Sequence, residues 1–153
     1  MPILDQEIAD LIEGRMDLDR VRELQSETKD PDRRERVIHA WQARVPWKNK
    51  IELCLQEGLF IVKRGPERIV KCACGHEFCE YHTNWKEHAL IYERDPQDCE
   101  IFAPANAPDA DWMVLREFYC PGCAMQLDTE GIPKGYPFIF NFLPFFPDDD
   151  ARP

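Results

Sequence analysis

The chain has 153 residues, with 19 basic against 29 acidic side chains and a formal net charge of -10 at pH 7. A nucleic-acid-binding surface has to be basic to displace counterions from phosphates, so this composition argues against a nucleic-acid partner. No stretch approaches the roughly 20 consecutive apolar residues of a membrane span, so no membrane association is expected.

Residues 3–45 are predicted to form short helices. Apolar residues recur at helical spacing on both sides of a break near Gly14. They recur again after Asp30-Pro31, a pair typical of an N-cap followed by proline in the first turn. Helices this short are marginal alone, so we expect them to pack on the rest of the chain or on another chain.

From residue 51 the pattern changes to that of strands. The apolar runs 59–62 and 69–72 flank the turn at 64–67, which predicts a hairpin. Residues 89–93 and 112–119 are further strand candidates. The first hairpin leads directly into one cysteine cluster, and the strand at 112–119 leads into another.

These two cysteine clusters carry the most chemical information in the sequence. They are Cys72-Ala-Cys74-Gly-His76-Glu-Phe-Cys79 and Cys120-Pro-Gly-Cys123. Zinc takes four soft ligands in a tetrahedron, and both clusters supply the tight turns that such a site needs. The sequence therefore predicts a closed, structural zinc site formed by Cys72, Cys74, Cys120 and Cys123.

The ligand set and the metal stay open at this point. One residue rather than two separates Cys72 from Cys74, and Cys79 could replace either of them. His76 could be a ligand or a hydrogen-bonding neighbour of the ligands. Iron uses the same four thiolates in rubredoxin-type sites, so spacing does not distinguish it from zinc.

Other roles for the cysteines are less favoured. The N-terminal residues lack the basic and apolar segments of a secretory signal, so we expect a cytoplasmic protein without disulfides. The spacing of Cys120 and Cys123 matches a redox motif, but the strand-to-helix start of thioredoxin-like folds is missing. Cys54 and Cys99 are expected to be small buried hydrophobic residues.

The segment 135–147 is unusually aromatic, with six aromatic residues in thirteen positions, and its prolines disfavour a regular helix or a central strand. An extended arm cannot cover all of these rings by itself. Either it folds back over the chain's own sheet or, as we favour, it docks on a partner subunit.

The sequence contains none of the phosphate-binding, dinucleotide-binding, serine-nucleophile or zinc-protease motifs that would indicate catalysis. We predict no catalytic and no cofactor-binding residue other than the metal ligands. The predicted fold class is α+β: a helical region at 1–48, a small antiparallel zinc-ribbon-like β core at 49–130, and an extended Pro/Phe-rich arm with an acidic tail at 131–153.

The chain resembles the gamma-type small subunits of the acetone carboxylases, with the acetophenone carboxylase complexes as relatives. The resemblance covers most of the chain, and the C-terminal arm departs most from it. It is carried by Val45-Pro-Trp47, Leu59-Phe-Ile-Val62, Cys72-Ala-Cys-Gly-His-Glu-Phe-Cys79, Asn84-Trp-Lys86 and Trp112-Met-Val-Leu-Arg-Glu-Phe-Tyr-Cys-Pro-Gly-Cys123.

The resemblance implies a role in a multisubunit ligase that uses ATP to join a ketone and bicarbonate into a 3-oxo acid. It implies that the large partner subunits carry the nucleotide chemistry and, in acetone carboxylases, manganese, while this chain carries zinc. The resemblance implies a functional role only for the clustered cysteines and for no catalytic residue. The isolated chain is therefore expected to be inactive. The alternatives are a rubredoxin-like electron carrier and a stand-alone zinc-ribbon interaction module.

Overall fold

A computed structural model describes residues 3–97 and 102–148. Within these residues, three helices come first: α1 (Asp5–Ile12), α2 (Leu18–Ser26) and α3 (Arg33–Gln42). The strands that follow in the described part of the chain are β1 (Ile51–Gln56), β2 (Leu59–Arg64), β3 (Glu67–Cys72), β4 (Glu77–Glu80), β5 (Leu90–Arg94), β6 (Val114–Tyr119) and β7 (Gln126–Ile132). Short 3-10 helices lie at Trp85–His88 and Pro104–Asn106. The predicted α+β class is confirmed.

The helical region matches the prediction except at the start of α3. The break falls at Gly14, whose φ of +66° ends the helical path after α1. The expected cap at Asp30-Pro31 was wrong, because α3 begins at Arg33. The Asp30 carboxylate instead accepts a hydrogen bond of 3.0 Å from the backbone N–H of Ile3, which ties the N-terminal segment down.

The strands form two antiparallel sheets, with the orders β1-β2-β3-β4 and β5-β6-β7. The predicted hairpin is β2 and β3, which pair from Leu59 and Cys72 to Arg64 and Glu67. The strand expected at 89–93 is β5, and the one expected at 112–119 is β6. The sequence did not predict β1, β4 and β7.

The first sheet is buried on both faces. One face, which includes Ile61 and Val70, packs against the second sheet around Phe118. The other face packs under α3, where the ring of Trp41 lies edge-on to Phe60 with 5.2 Å between centroids. Because β2 is covered on both sides, its residues 59–62 are all apolar, instead of alternating between apolar and polar residues. This packing also brings the end of β3 close to the end of β6.

The residues after β7 form an arm, defined here as 133–148, which has no helix or strand from 137 to 146. Near its start the ring of Phe138 packs against Phe118, with 6.0 Å between centroids. Near its end Phe146 lies under the guanidinium group of Arg68, which also donates hydrogen bonds of 2.6 Å to Asp148. Side chains therefore hold the arm at two points.

Two predictions fall on residues outside the described ranges: the buried role of Cys99 and most of the acidic tail, 149–153. The division of the chain at 48 and 130 stays a prediction.

None of the helices in the described ranges is long and apolar enough to span a bilayer.

Candidate metal centre

Four cysteine side chains meet where the two sheets touch. Cys72 is the last residue of β3 and Cys120 directly follows β6, while Cys74 and Cys123 lie in the turns after them. The four Sγ atoms all lie within 4.8 Å of one another. The Sγ atoms of Cys72 and Cys123 are 3.8 Å apart, and those of Cys74 and Cys120 are 3.7 Å apart.

These separations fit a tetrahedral metal ion. With metal–sulfur bonds of about 2.3 Å, the sulfur atoms of a regular tetrahedron lie about 3.8 Å apart. The sulfurs of a disulfide would lie about 2.05 Å apart, and these thiols are free. The four cysteines can therefore hold one metal ion, with two sulfurs supplied by each sheet. Within residues 3–97 and 102–148, no second group of three or more Cys, His, Asp or Glu side chains is placed to do so.

Backbone hydrogen bonds shape the turn after β3. The N–H of Cys72 donates to the carbonyl oxygen of His76, and the N–H of Gly75 donates to the carbonyl oxygen of Cys72, both at 2.9 Å. Gly75 has a φ of +104°, a backbone conformation that residues other than glycine rarely adopt. This tight turn allows Cys72 and Cys74 to serve one site although a single residue separates them.

The turn after β6 is closed in a similar way. The N–H of Cys120 donates to the carbonyl oxygen of Met125 at 2.9 Å, and the N–H of Ala124 donates to the carbonyl oxygen of Cys120 at 2.8 Å. Ala124 has a φ of +58°. The N–H of Gly122 points at the Sγ of Cys120, 3.3 Å away, and so stabilises negative charge on that sulfur.

Gly122 is required by the close approach of the two turns. A Cβ atom at this position would lie 2.9 Å from the Cβ of His76 and 3.2 Å from the Sγ of Cys74. Contacts this short force the neighbouring atoms to move. Gly122 is therefore needed for space at the junction of the turns.

The four thiols have different environments. Cys72 and Cys120 are buried, whereas Cys74 and Cys123 are exposed. Burial raises the pKa of the Cys72 and Cys120 thiols above the ordinary value. Burial acts in the same direction on Cys74, but hydrogen bonds from the His76 backbone and from neighbouring thiols lower its pKa overall. A cation bound between them would stabilise all four sulfurs as thiolates.

The two alternative ligands lie outside the group of four. The ring of His76 packs edge-on against Phe78, with 4.9 Å between centroids. The thiol of Cys79 lies 3.5 Å from the carbonyl oxygen of Thr83, and burial raises its pKa to about 11. Cys54 also stands apart, half-buried against the core, and burial raises its pKa to about 11.

Trp47 supports the turn after β3, a role that the sequence did not predict. Its indole N–H donates to the carbonyl oxygens of Cys72 at 3.2 Å and Ala73 at 3.1 Å. Its ring also packs against Phe60, with 6.0 Å between centroids. The side chain therefore links the core of the first sheet to the turn that carries two of the sulfurs. No local motif predicts this, because the partners lie on a different element.

Comparisons of the sequence with known proteins identify the family of this chain. The sequence model of the family described as "Acetone carboxylase gamma subunit" matches residues 45–148, which include both cysteine turns and the arm. The chain is 40% identical over 141 residues to the acetone carboxylase gamma subunit of Xanthobacter autotrophicus (strain Py2), an alignment that covers 90% of this chain and 84% of that protein.

A second relative is the acetophenone carboxylase beta subunit of Aromatoleum aromaticum (strain EbN1). It is 39% identical over 74 residues, which cover 44% of this chain and 56% of that protein. The relatives are subunits of carboxylases, which implies that other subunits assemble with them. With the family model covering both cysteine turns and one relative aligned over nearly the whole chain, this protein belongs to the acetone carboxylase gamma subunit family.

Proposed function

We propose that this chain is a zinc-containing structural and assembly subunit of an ATP-dependent ketone carboxylase, which joins a ketone and bicarbonate to give a 3-oxo acid. Membership of the gamma subunit family supports the place in a carboxylase complex. In this proposal the complex is cytoplasmic, the large partner subunits hold ATP and manganese, and this chain supplies no catalytic residue.

The observation that carries the proposal is the group of four thiols shared between two sheets. The residues fit zinc, because the set is all sulfur and two Sγ–Sγ separations, of 3.7 and 3.8 Å, match those of a zinc tetrahedron. Four protein ligands leave no open position for a substrate, as in structural zinc sites. Zinc binding, worth about 10–16 kcal/mol in zinc-finger peptides, would then stabilise the junction between the sheets.

The arm supports the assembly role. Its large apolar side chains are more exposed than a free surface normally tolerates. Phe145, for example, is 71% exposed. The exposed members are Tyr136, Phe138, Ile139, Phe140, Phe142, Leu143 and Phe145. We infer that a neighbouring large subunit covers them.

The test compares Cys120→Ser with Cys54→Ser, a cysteine outside the group. Both variants are expressed with the other subunits of the complex, and metal per chain and yield of complex are measured. Cys120→Ser is expected to lose most of its zinc and to lower the yield, while Cys54→Ser keeps both. Wild-type zinc content and normal assembly in Cys120→Ser would contradict the proposal.

The same preparation separates the alternatives. A rubredoxin-like electron carrier would hold iron and show visible thiolate-to-iron absorption, whereas zinc thiolates are colourless in that range. A stand-alone interaction module would bind zinc without co-purifying with carboxylase subunits. Either result would replace the proposed function.

A further inference from the structure

A cavity of about 230 Å³ lies between the first sheet and the arm, partly open to solvent. Its lining on the sheet side is largely apolar and includes Leu55, Ile61 and Val70. Residues 139–142 and 144 of the arm line the other side and form a roof that has no strand pairing. None of the four clustered cysteines lines it, so the cavity is separate from the candidate metal centre.

The cavity is reached from solvent along β7. A more open groove of about 430 Å³ lies beside it, and Ile139 and Asn141 of the arm line both. β7 is at the edge of its sheet, so no further strand of the described ranges covers this side. A side chain of another protein can therefore reach the cavity between β7 and the arm.

The entrance of the cavity is acidic. Asp128 lines the cavity and Glu130 lines the groove, and both lie on the same face of β7. The Nζ of Lys86 lies 2.7 Å from Asp128 and 2.5 Å from Glu130. Burial acts to lower the pKa of Lys86, but its two carboxylate partners raise it overall, so one positive charge faces two negative ones. The neighbouring pair of Arg116 and Glu93 is neutral as a whole, which leaves the entrance with a net negative charge.

Aromatic side chains line the cavity on both sides. Tyr81 and Trp85 lie on the sheet side, and Phe140 and Phe142 belong to the arm. Aromatic rings attract cations to their faces, and a planar guanidinium group also stacks on them. The volume is suitable too, because an apolar cavity of about 150 Å³ accommodates benzene, and an arginine side chain has only slightly more heavy atoms than benzene. The acidic entrance and the rings together favour a cation with an apolar stem over an anion or a purely apolar group.

We propose that an arginine side chain of a large carboxylase subunit inserts between β7 and the arm, where its guanidinium group packs among the rings and donates hydrogen bonds to Asp128 and Glu130. The inference rests on the proposed function, because it names the chemistry of the partner that covers the arm. Phe140 and Phe142 connect the two surfaces, since both line the cavity and both are also exposed, at 37% and 56%. The formal net charge of -10 favours a basic partner in the same way.

The first test measures the affinity of the full-length, metal-loaded chain for the large subunits. Asp128→Asn keeps the oxygen that accepts a hydrogen bond from the N–H of Thr129 but removes the negative charge. The affinity at low ionic strength is expected to fall at least about tenfold, and to depend less steeply on salt than that of the wild type. Asp19→Asn is the matched control, because Asp19 also pairs with a cation, Arg22, but lies on α2. It is expected to bind as the wild type does.

The second test identifies the inserted side chain. The large subunits are treated with phenylglyoxal, which modifies accessible arginine side chains, alone and at saturating concentrations of this chain, and the modified positions are located by mass spectrometry. The wild-type chain is expected to protect an arginine that regains its reactivity when Leu55→Trp, which fills the cavity, replaces the wild type. Other arginines of the interface are expected to stay protected by both chains.

The inference is overturned if the wild-type chain assembles and Asp128→Asn binds as tightly as Asp19→Asn. It is also overturned if no arginine changes its reactivity between the wild type and Leu55→Trp. Weaker binding of Leu55→Trp together with normal binding of Asp128→Asn would mean that an uncharged side chain fills the cavity.

Failure of the wild-type chain to bind any large subunit would instead contradict the proposed function itself, and the inference with it. Zinc content and thermal unfolding of each variant are measured first. If Leu55→Trp does not fold, Asp128→Asn takes its place in the labelling experiment, with the same expected gain in reactivity.

Discussion

The indole N–H of Trp47 donates a hydrogen bond of 3.2 Å to the carbonyl oxygen of Cys72, a residue 25 positions further along the chain. A second bond, to Ala73, holds the next peptide of the same turn. Groups that orient the ligands of a metal contribute to its affinity even though they do not touch it. Trp47 would be such a group for a metal bound by the first pair of sulfurs.

Trp47→Phe should therefore weaken metal binding. Phenylalanine keeps an aromatic ring near Phe60 but removes the N–H donor, so the turn loses two hydrogen bonds. The loss of one such outer partner typically lowers metal affinity about 10–100-fold. Competition with a chromophoric chelator measures the affinity, and Trp112→Phe, at a position that is 81% exposed, is the matched control. Equal affinities in both variants would show that Trp47 does not support the site.

Gly122→Ala should disrupt the contact between the two turns. The new methyl group would lie 2.9 Å from the Cβ of His76, so the turns have to separate. Overpacking of this kind costs about 1–3 kcal/mol. Thermal unfolding and zinc content are the readouts. Gly131→Ala is the control, since a Cβ there meets its nearest atom, Sδ of Met113, at an ordinary 3.5 Å. Similar behaviour of both variants would rule out a steric role for Gly122.

The end of the arm should be released by acid. Hydrogen bonds from the Arg68 side chain lower the pKa of Asp148 below its ordinary value of 3.8. Because the folded pKa is depressed, this contact stabilises the docked arm at neutral pH and is lost as pH falls through the folded value. The ring signals of Phe146, followed by NMR, should change with a midpoint below 3.8.

Asp148→Asn should loosen the same contact at neutral pH, because a neutral amide does not replace the carboxylate. Hydrogen exchange within 139–146 should speed up in this variant. Glu87→Gln, which neutralises an exposed carboxylate, is the control and should leave hydrogen exchange in the arm unchanged. Unchanged exchange in Asp148→Asn would mean that Phe146 alone holds the end of the arm.

The exposed face of the arm should be needed for assembly but not for metal binding. The double variant Phe142→Ser, Phe145→Ser removes two large apolar contacts. Buried aromatic residues dominate many interfaces, so affinity for the neighbouring subunit should fall at least about tenfold. Zinc per chain should not change. Leu18→Ser in α2 is a matched control, because Leu18 is also exposed, at 70%. Normal co-purification of the double variant would place the interface elsewhere.

The elements that the sequence predicted are those with strong local patterns. The hairpin of β2 and β3 has two apolar runs around a turn in which Gly65 takes a φ of +60°. β4 was missed because it has only four residues. β1 and β7 mix polar and apolar residues and are only partly buried, so their strand character depends on the partners with which they pair.

The four sulfurs were predicted from spacing, but the spacing left Cys79 and His76 as alternatives. The packing of the sheets brings Cys72, Cys74, Cys120 and Cys123 together, and the choice of these four as the metal ligands stays a prediction. Trp47 shows the same limit. It matters through contacts with residues 25 and 26 positions away in the chain, and no local pattern encodes such contacts.

The sequence by itself determined that this is an acidic α+β chain with two cysteine turns, because composition, hydrophobic period and turn residues are local properties. The tertiary structure decided that sulfurs 46 and 51 positions apart become neighbours, and that the arm roofs a cavity. These features depend on how two sheets and an irregular segment pack, and packing brings together residues that the order of the chain keeps apart.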